Sequence, residues 1–399
     1  MVKDYLDSWE VADKIIACGF DTTSSNTGVN NGSCTILQNL LHQQLLWLAC
    51  RHHILELIIG GAFTTIFGVT SGPEVTTFKI LKTSWKSLNF GDRRLPDIPS
   101  YFKEDIPDIL EYVDSKVDQE SHLPRGDYKE LLELVKVILG GDIERKKGYS
   151  CTIQRPGADH HARWMAKGIY VLKMVMLQYQ LKFHWTLKRK FTKMAMFVIF
   201  CYVKSWFSSP SLTTAAENNI NLFTRLETFR KVDRAVSLKT LAVLNRHTWY
   251  LTEENIAIAL FNTNISLERR SELAKKIYLL QIPSEAVEIR KPTLPSITKS
   301  ILGDFVGGRS RVLLDLLGVS LEFLNEDNWS EAPEFSLIQA ALRNITPIND
   351  SSERALGLAT RFNTRITRTE ASYQELMLVV ESHCRKYSLK IKEDLKKLY

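Results

Sequence analysis

The chain has 399 residues, of which 44% are hydrophobic and 24% charged; this composition excludes a disordered, collagen-like or low-complexity chain. Lysine and arginine exceed aspartate and glutamate by 52 to 45, a net charge of +7 that permits a polyanionic partner without requiring one. Six cysteines lie far apart with no CxxC pair, which speaks for a reducing compartment rather than a disulfide scaffold. The opening MVKDYLDSWEVADK is unlike a signal peptide, and the longest apolar stretch, from Met194 to Val203, is about half a membrane span. A soluble protein, neither secreted nor membrane-bound, is expected.

In chain order, a helix is predicted over residues 2–14, with Leu6, Trp9, Val11 and Ala12 as its apolar positions. Residues 14–20 read as a buried strand. The polar run from Asp21 to Gly28 reads as a loop, and residues 34–48 as a helix. A strand, an Asp-led loop and a helix in that order predict membership of a parallel sheet. Residues 70–157 are more polar and rich in proline; helices are predicted over 106–117 and 127–139, the second ending at Gly140-Gly141. Residues 160–207 read as helical almost throughout. Their aromatic residues, Trp164, Tyr170, Tyr179, Trp185, Phe197, Tyr202 and Trp206, read as a buried helical core, which Pro210 ends. Further helices are predicted over 218–236, 253–261, 267–280, 309–324, 335–343, 351–361 and 371–398, with a proline-marked connection over 282–307. There is no internal repeat.

Several residue groups can carry chemistry. Asp21, at the tip of a strand and followed by hydroxyl and amide residues, can hold a divalent cation, since hard cations prefer carboxylate oxygen; the same residue can equally be a turn or N-cap aspartate. Cys50 and His53, at positions i and i+3, can share a metal, although structural zinc needs four ligands; a buried cysteine and hydrogen-bonded histidines are the alternative. Arg163 and Trp164 can pair a phosphate and stack on an unpaired base, or Trp164 can simply pack in the core. Glu353 stands where a helix N-terminus favours a carboxylate. Behind it Arg354, Arg361, Arg365 and Arg368 follow at steps of seven, four and three, forming one basic stripe that fits either a phosphate track or a solvated helix face. The cluster Lys188-Arg189-Lys190 also reads as solvated surface.

Taken in order, the strings Gly19-Phe-Asp21-Thr-Thr-Ser-Ser-Asn-Thr-Gly28, Leu48-Ala-Cys50-Arg-His-His53, Ala162-Arg163-Trp164 and Ser351-Ser-Glu353-Arg354 resemble the transposases of the hAT superfamily, which have a ribonuclease-H-like core. The resemblance implies a mostly α chain with a partial α/β core. Residues 1–69 would form the first part of that core, 70–335 an all-α insertion, and 336–399 C-terminal core helices that bring Glu353 back to Asp21. It further implies that Asp21 and Glu353 are catalytic carboxylates binding Mg2+ or Mn2+, that Arg163 and Trp164 handle the DNA end, and that Cys50 and His53 form a structural motif near the core. Two-metal strand cleavage needs convergent carboxylates around an ion pair about 4 Å apart.

One departure sets the functional expectation. Only twenty residues precede Asp21, too few for the three antiparallel strands that open such a core at about 5 to 6 residues each. Asp4, Asp7 and Asp13 fall on the predicted helix. The expectation is a transposase-derived nucleic-acid-binding protein, domesticated or degraded and catalytically incomplete. It would be nuclear or cytoplasmic, would bind DNA weakly and salt-sensitively, would have no membrane partner, and is compatible with a homo-oligomer. Two alternatives stand beside it. One is an active two-metal DNA strand-cleavage or strand-transfer enzyme with a substitute carboxylate. The other is an all-helical protein-interaction module. A sheet edge left open recruits other strands, so the chain expressed alone should be poorly soluble; a monodisperse light-scattering profile at high concentration would contradict this.

Overall fold

A computed structural model describes residues 2–69, 76–89, 91–92, 94–118, 123, 126–141, 153, 165–280 and 297–348. The described residues are mostly helical with one two-stranded parallel sheet, as the mostly α expectation requires. No helix among them is long and apolar enough to cross a membrane. The fold divides into two compact units, one formed by Met1–Thr65 with Cys201–Asn349, the other built around Ile66–Phe200. Residues 201–335 thus belong with the N-terminal segment, a division different from boundaries at residues 70 and 335.

In the first unit, strand β1 (Ala17–Phe20) pairs in parallel with strand β2 (Leu46–Ala49), in the register Ala17 to Leu46 through Phe20 to Ala49. The helix Ser33–Leu41 makes the crossover. Residues 34–48 are therefore not one helix. Chain reversal comes at His42, which takes the left-handed conformation at φ 51°. Gln38 Oε1 then accepts the Leu45 N–H at 3.1 Å and the Trp47 indole N–H at 3.3 Å, which starts the new strand. All four residues of β2 are buried. An unbroken apolar run suits a strand covered on both faces, and it resembles a helix core closely enough to be misread. The helix predicted over 2–14 is shorter too: it covers Val2–Ser8, followed by a 3-10 turn at Ala12–Lys14.

The two edges of the sheet differ. On the outer side of β2, the Trp47 carbonyl accepts from Asn255 Nδ2 at 2.9 Å and the Ala49 carbonyl accepts from the Tyr250 hydroxyl. Phe20, Trp47 and Trp249 pack with ring centroids 5.5–5.8 Å apart. On β1, Ile16 and Phe20 give their carbonyls to Leu46 and Cys50. The alternation of a parallel ladder therefore turns Ala17 and Gly19 outward. Among the described residues their N–H and C=O groups have no partner, and a groove of about 410 Å3 runs beside them, lined by Ile15, Ala17, Gly19, Leu48, Ile345 and Pro347.

After β2 comes the helix Arg51–Phe67. It is mostly apolar and mostly buried, with Leu57 and Thr65 at the surface. It packs beside Lys239 and Val243, which would lie 3.6 Å from a Cβ placed at Gly61, an ordinary van der Waals contact. The stretch predicted as one helix over 218–236 is two, Ala215–Thr228 and Arg234–Asn245. Asp233 separates them by capping the second, accepting from the Ala235 and Val236 N–H groups at 3.1 Å. The predicted helix over 309–324 is likewise broken, into Val312–Leu316 and a 3-10 turn at Glu322–Asn325.

In the second unit the helices Ile106–Val117 and Gly126–Ile138 fall where predicted. The latter ends at Gly140, whose φ of 82° glycine reaches at little cost. The helices Met165–Leu177 and Trp185–Phe197 follow. Lys173 is buried and ion-paired to Glu130 at 2.6 Å, and Phe78 stacks on Tyr170 at 4.5 Å. The expected aromatic core is only partly realised. Tyr170 and Phe197 are buried here, and Tyr202 and Trp206 are buried in the first unit, but Tyr179 and Trp185 are 49% and 60% exposed, because the turn between the two helices carries them outward.

Removing the Tyr250 hydroxyl leaves the buried Ala49 carbonyl without its donor. Tyr250→Phe is expected to cost about 1–3 kcal/mol, read as a lowered urea midpoint. An unchanged midpoint would show that this edge is held by packing alone.

Candidate functional site

In a parallel sheet the carboxyl ends of the strands open to one side, where α/β proteins place their ligand groups. Here that end gathers residues from three parts of the chain. Asp21 follows β1 directly. Cys50 follows β2, is buried, and donates its N–H to the Phe20 carbonyl at 2.7 Å. His53 lies in the first turn of the helix Arg51–Phe67, close enough to Asp21 to favour its charge. The third part arrives from far along the sequence: the Arg51 N–H donates to the Pro347 carbonyl at 3.0 Å.

The geometry of Asp21 is that of a turn-building carboxylate. Its Oδ1 accepts from the Thr23 N–H at 3.0 Å, the Thr23 hydroxyl at 2.6 Å and Asn26 Nδ2 at 2.7 Å. These bonds fold the polar segment into the single helical turn Ser24–Thr27. Partial burial works against the charge, but the Thr23 and Asn26 bonds and the nearby His53 outweigh it and hold the carboxyl below its ordinary 3.8. The Cys18 and Cys34 thiols interact with each other. That interaction, with burial, pushes Cys18 up, while Cys34 is eased toward the thiolate.

Within Cys50-Arg-His-His53 the two middle residues have structural work. Buried Arg51 donates from Nη1 to the carbonyls of Ser208, Ser209 and Ser211 at 2.9, 3.1 and 3.0 Å, which satisfies a charge that would be costly to bury unpaired. His52 stacks on Trp206 at 3.8 Å with an interplanar angle of 6°.

The structure therefore brings Asp21, Cys50 and His53 to one end of the sheet. Glu353, Arg354, Arg361, Arg365 and Arg368, as well as Arg163 and Trp164, lie outside the described residues, as do the helices predicted over 351–361 and 371–398. Among the described residues no group of three or more histidine, cysteine, aspartate or glutamate side chains can hold a metal ion, and one oxygen of Asp21 already has three donors. The described donors alone do not fit a Mg2+ or Mn2+ pair. Sequence reasoning missed β2 and with it the role of Arg51; the apolar run Leu45-Leu46-Trp47-Leu48-Ala49, placed directly before the polar CRHH, was the available signal. No family model, no curated protein and no solved structure matches the chain.

A carboxyl lowered on folding stabilises above its unfolded value and loses that effect as pH falls through the folded one. Thermal unfolding of wild type and Asp21→Ala should therefore differ most well above pH 3.8 and converge in more acidic buffer. A difference that is constant across this range would mean that the charge plays no part in holding the turn.

Proposed function

We propose that the chain is a transposase-derived nucleic-acid-binding protein with a partial ribonuclease-H-like core, and that this chain by itself does not cut DNA. One observation carries the reading. The chain leaves a parallel strand–turn–helix–strand unit at residue 51 and returns at Pro347 to bond beside it. An interrupted core needs this closure. It puts Glu353 six residues beyond a point already held at the Asp21 end. The ordered motifs from Asp21 to Arg354 and the net charge of +7 support DNA as the partner. Against cleavage stands the donor set: Asp21 spends one carboxylate oxygen on the turn, and two-metal chemistry needs convergent carboxylates that bridge the ions.

The test is fluorescence anisotropy of the full chain with a labelled duplex over a range of salt, together with a nicking assay in Mg2+ and Mn2+. Binding should weaken steeply with salt, each neutralised phosphate contributing about −0.9 to the log–log slope, and the DNA should stay intact. No binding even at low salt would overturn the nucleic-acid reading. Metal-dependent cleavage that is lost in both Asp21→Asn and Glu353→Gln would instead establish the active enzyme.

A further inference from the structure

From residue 160 to residue 216 the sequence contains nine lysines and arginines and no aspartate or glutamate, while the whole chain carries only +7. In the second unit this imbalance appears at the turn joining the helices Met165–Leu177 and Trp185–Phe197. Tyr179 and Trp185 are exposed there. The Arg94 guanidinium lies 4.7 Å from the Tyr179 ring centroid, and Lys188 Nζ lies 4.2 Å from it. Lys182, Arg189 and Lys190 are exposed alongside.

The arrangement is held in place. Gln180 accepts the Asn89 N–H at 2.8 Å and donates to the Asn89 and Asp92 carbonyls, each at 2.7 Å. The Arg94 N–H donates to the Met176 carbonyl at 3.2 Å. The loop that carries Arg94 is thus pinned to the end of the preceding helix. None of Arg94, Lys182, Lys188, Arg189 and Lys190 forms an ion pair among the described residues. Two of these cations rest on an aromatic ring, which orders them without neutralising their charge. The apolar face of the second helix, at Phe191, Met194 and Ala195, is buried. That leaves this helix no exposed apolar face of the kind that lies on a lipid surface.

Ordered, unneutralised cations beside an open indole match the chemistry of an unpaired nucleic-acid strand, whose phosphates need charge and whose bases need an aromatic platform. We propose that this surface binds a single-stranded nucleic-acid end, with Arg94, Lys182, Lys188, Arg189 and Lys190 on the phosphates and Trp185 stacked on a base. The inference rests on the nucleic-acid reading above and assigns that reading a binding surface.

The test uses the full chain and two labelled DNAs, a blunt duplex and the same duplex with a single-stranded tail. Trp185→Ala should weaken binding of the tailed DNA by about tenfold or more and leave the blunt duplex nearly unchanged, while Trp185→Phe restores most of the loss. The triple variant Lys188→Gln, Arg189→Gln, Lys190→Gln should weaken both DNAs and flatten the salt slope by roughly 0.7–0.9 for each phosphate contact removed. The substituted side chains lie at the surface, and circular dichroism checks that the fold persists. If wild type binds DNA and these variants match it, this inference falls while the nucleic-acid reading survives. If wild type binds neither DNA at low salt, both fall. If Trp185→Ala loses binding to vesicles of anionic lipid and none to DNA, the surface belongs to a membrane and the inference is overturned.

Discussion

The pairing of β1 with β2 is the constraint on which the first unit depends. Two strands of four residues make a weak sheet by themselves. Here side chains from distant sequence complete it. Trp249 packs against Phe20 and Trp47, and Asn255 and Tyr250 occupy the carbonyls along the outer edge of β2. At the end of the sheet, Arg51 ties its backbone N–H to Pro347 and its guanidinium to the carbonyls of Ser208, Ser209 and Ser211. An edge whose carbonyls are taken by side chains has less backbone to offer another strand. Among the described residues β1 has no such cover at Ala17 and Gly19, so the two edges of one small sheet differ in chemistry.

Much of the helical architecture was legible in the sequence, and the reasons are local. Pro107 opens one helix and Gly140 closes another, and these residues act through their own backbone. The misreadings share a different cause. Residues 34–48 looked like one helix because the burial of β2 on both faces erases the alternation that identifies a strand. Residues 218–236 looked continuous because the cap at Asp233 is a single side chain between two apolar runs. At the candidate site, the placement of Asp21 after a strand was readable from composition. That its Oδ1 is committed to Thr23 and Asn26 was not, because that depends on the exact path of the turn. The buried reading of Tyr179 and Trp185 failed for a related reason: an aromatic residue within an apolar stretch looks like core whichever way it faces.

Charge and burial are distributed differently in the two units. In the first, cations are consumed by structure: buried Arg51 serves carbonyls, and half-buried Arg309 meets Glu254 at 2.8 Å. In the second, Lys173 is likewise consumed by Glu130, but the cations around Tyr179 and Trp185 are held on rings and backbone-pinned loops instead of carboxylates. A modest overall charge therefore conceals a strong local one. This is why the composition alone only permitted a polyanionic partner.

The contact between Arg51 and Pro347 also bears on the order in which the chain is built. Folds dominated by contacts distant in sequence form slowly, because the intervening loop must close first. During synthesis the N-terminal strands emerge long before the segments that cover them, and residues 46–51 stay without Trp249, Tyr250 and Pro347 until most of the polypeptide has been made. The described helices between residues 106 and 197 each pack against the next in sequence and can assemble in the meantime. The middle of the chain is thus set to mature on the ribosome before residues 46–51 are covered, and during that interval the apolar strand Leu46–Ala49 is open to the aggregation that chaperones prevent.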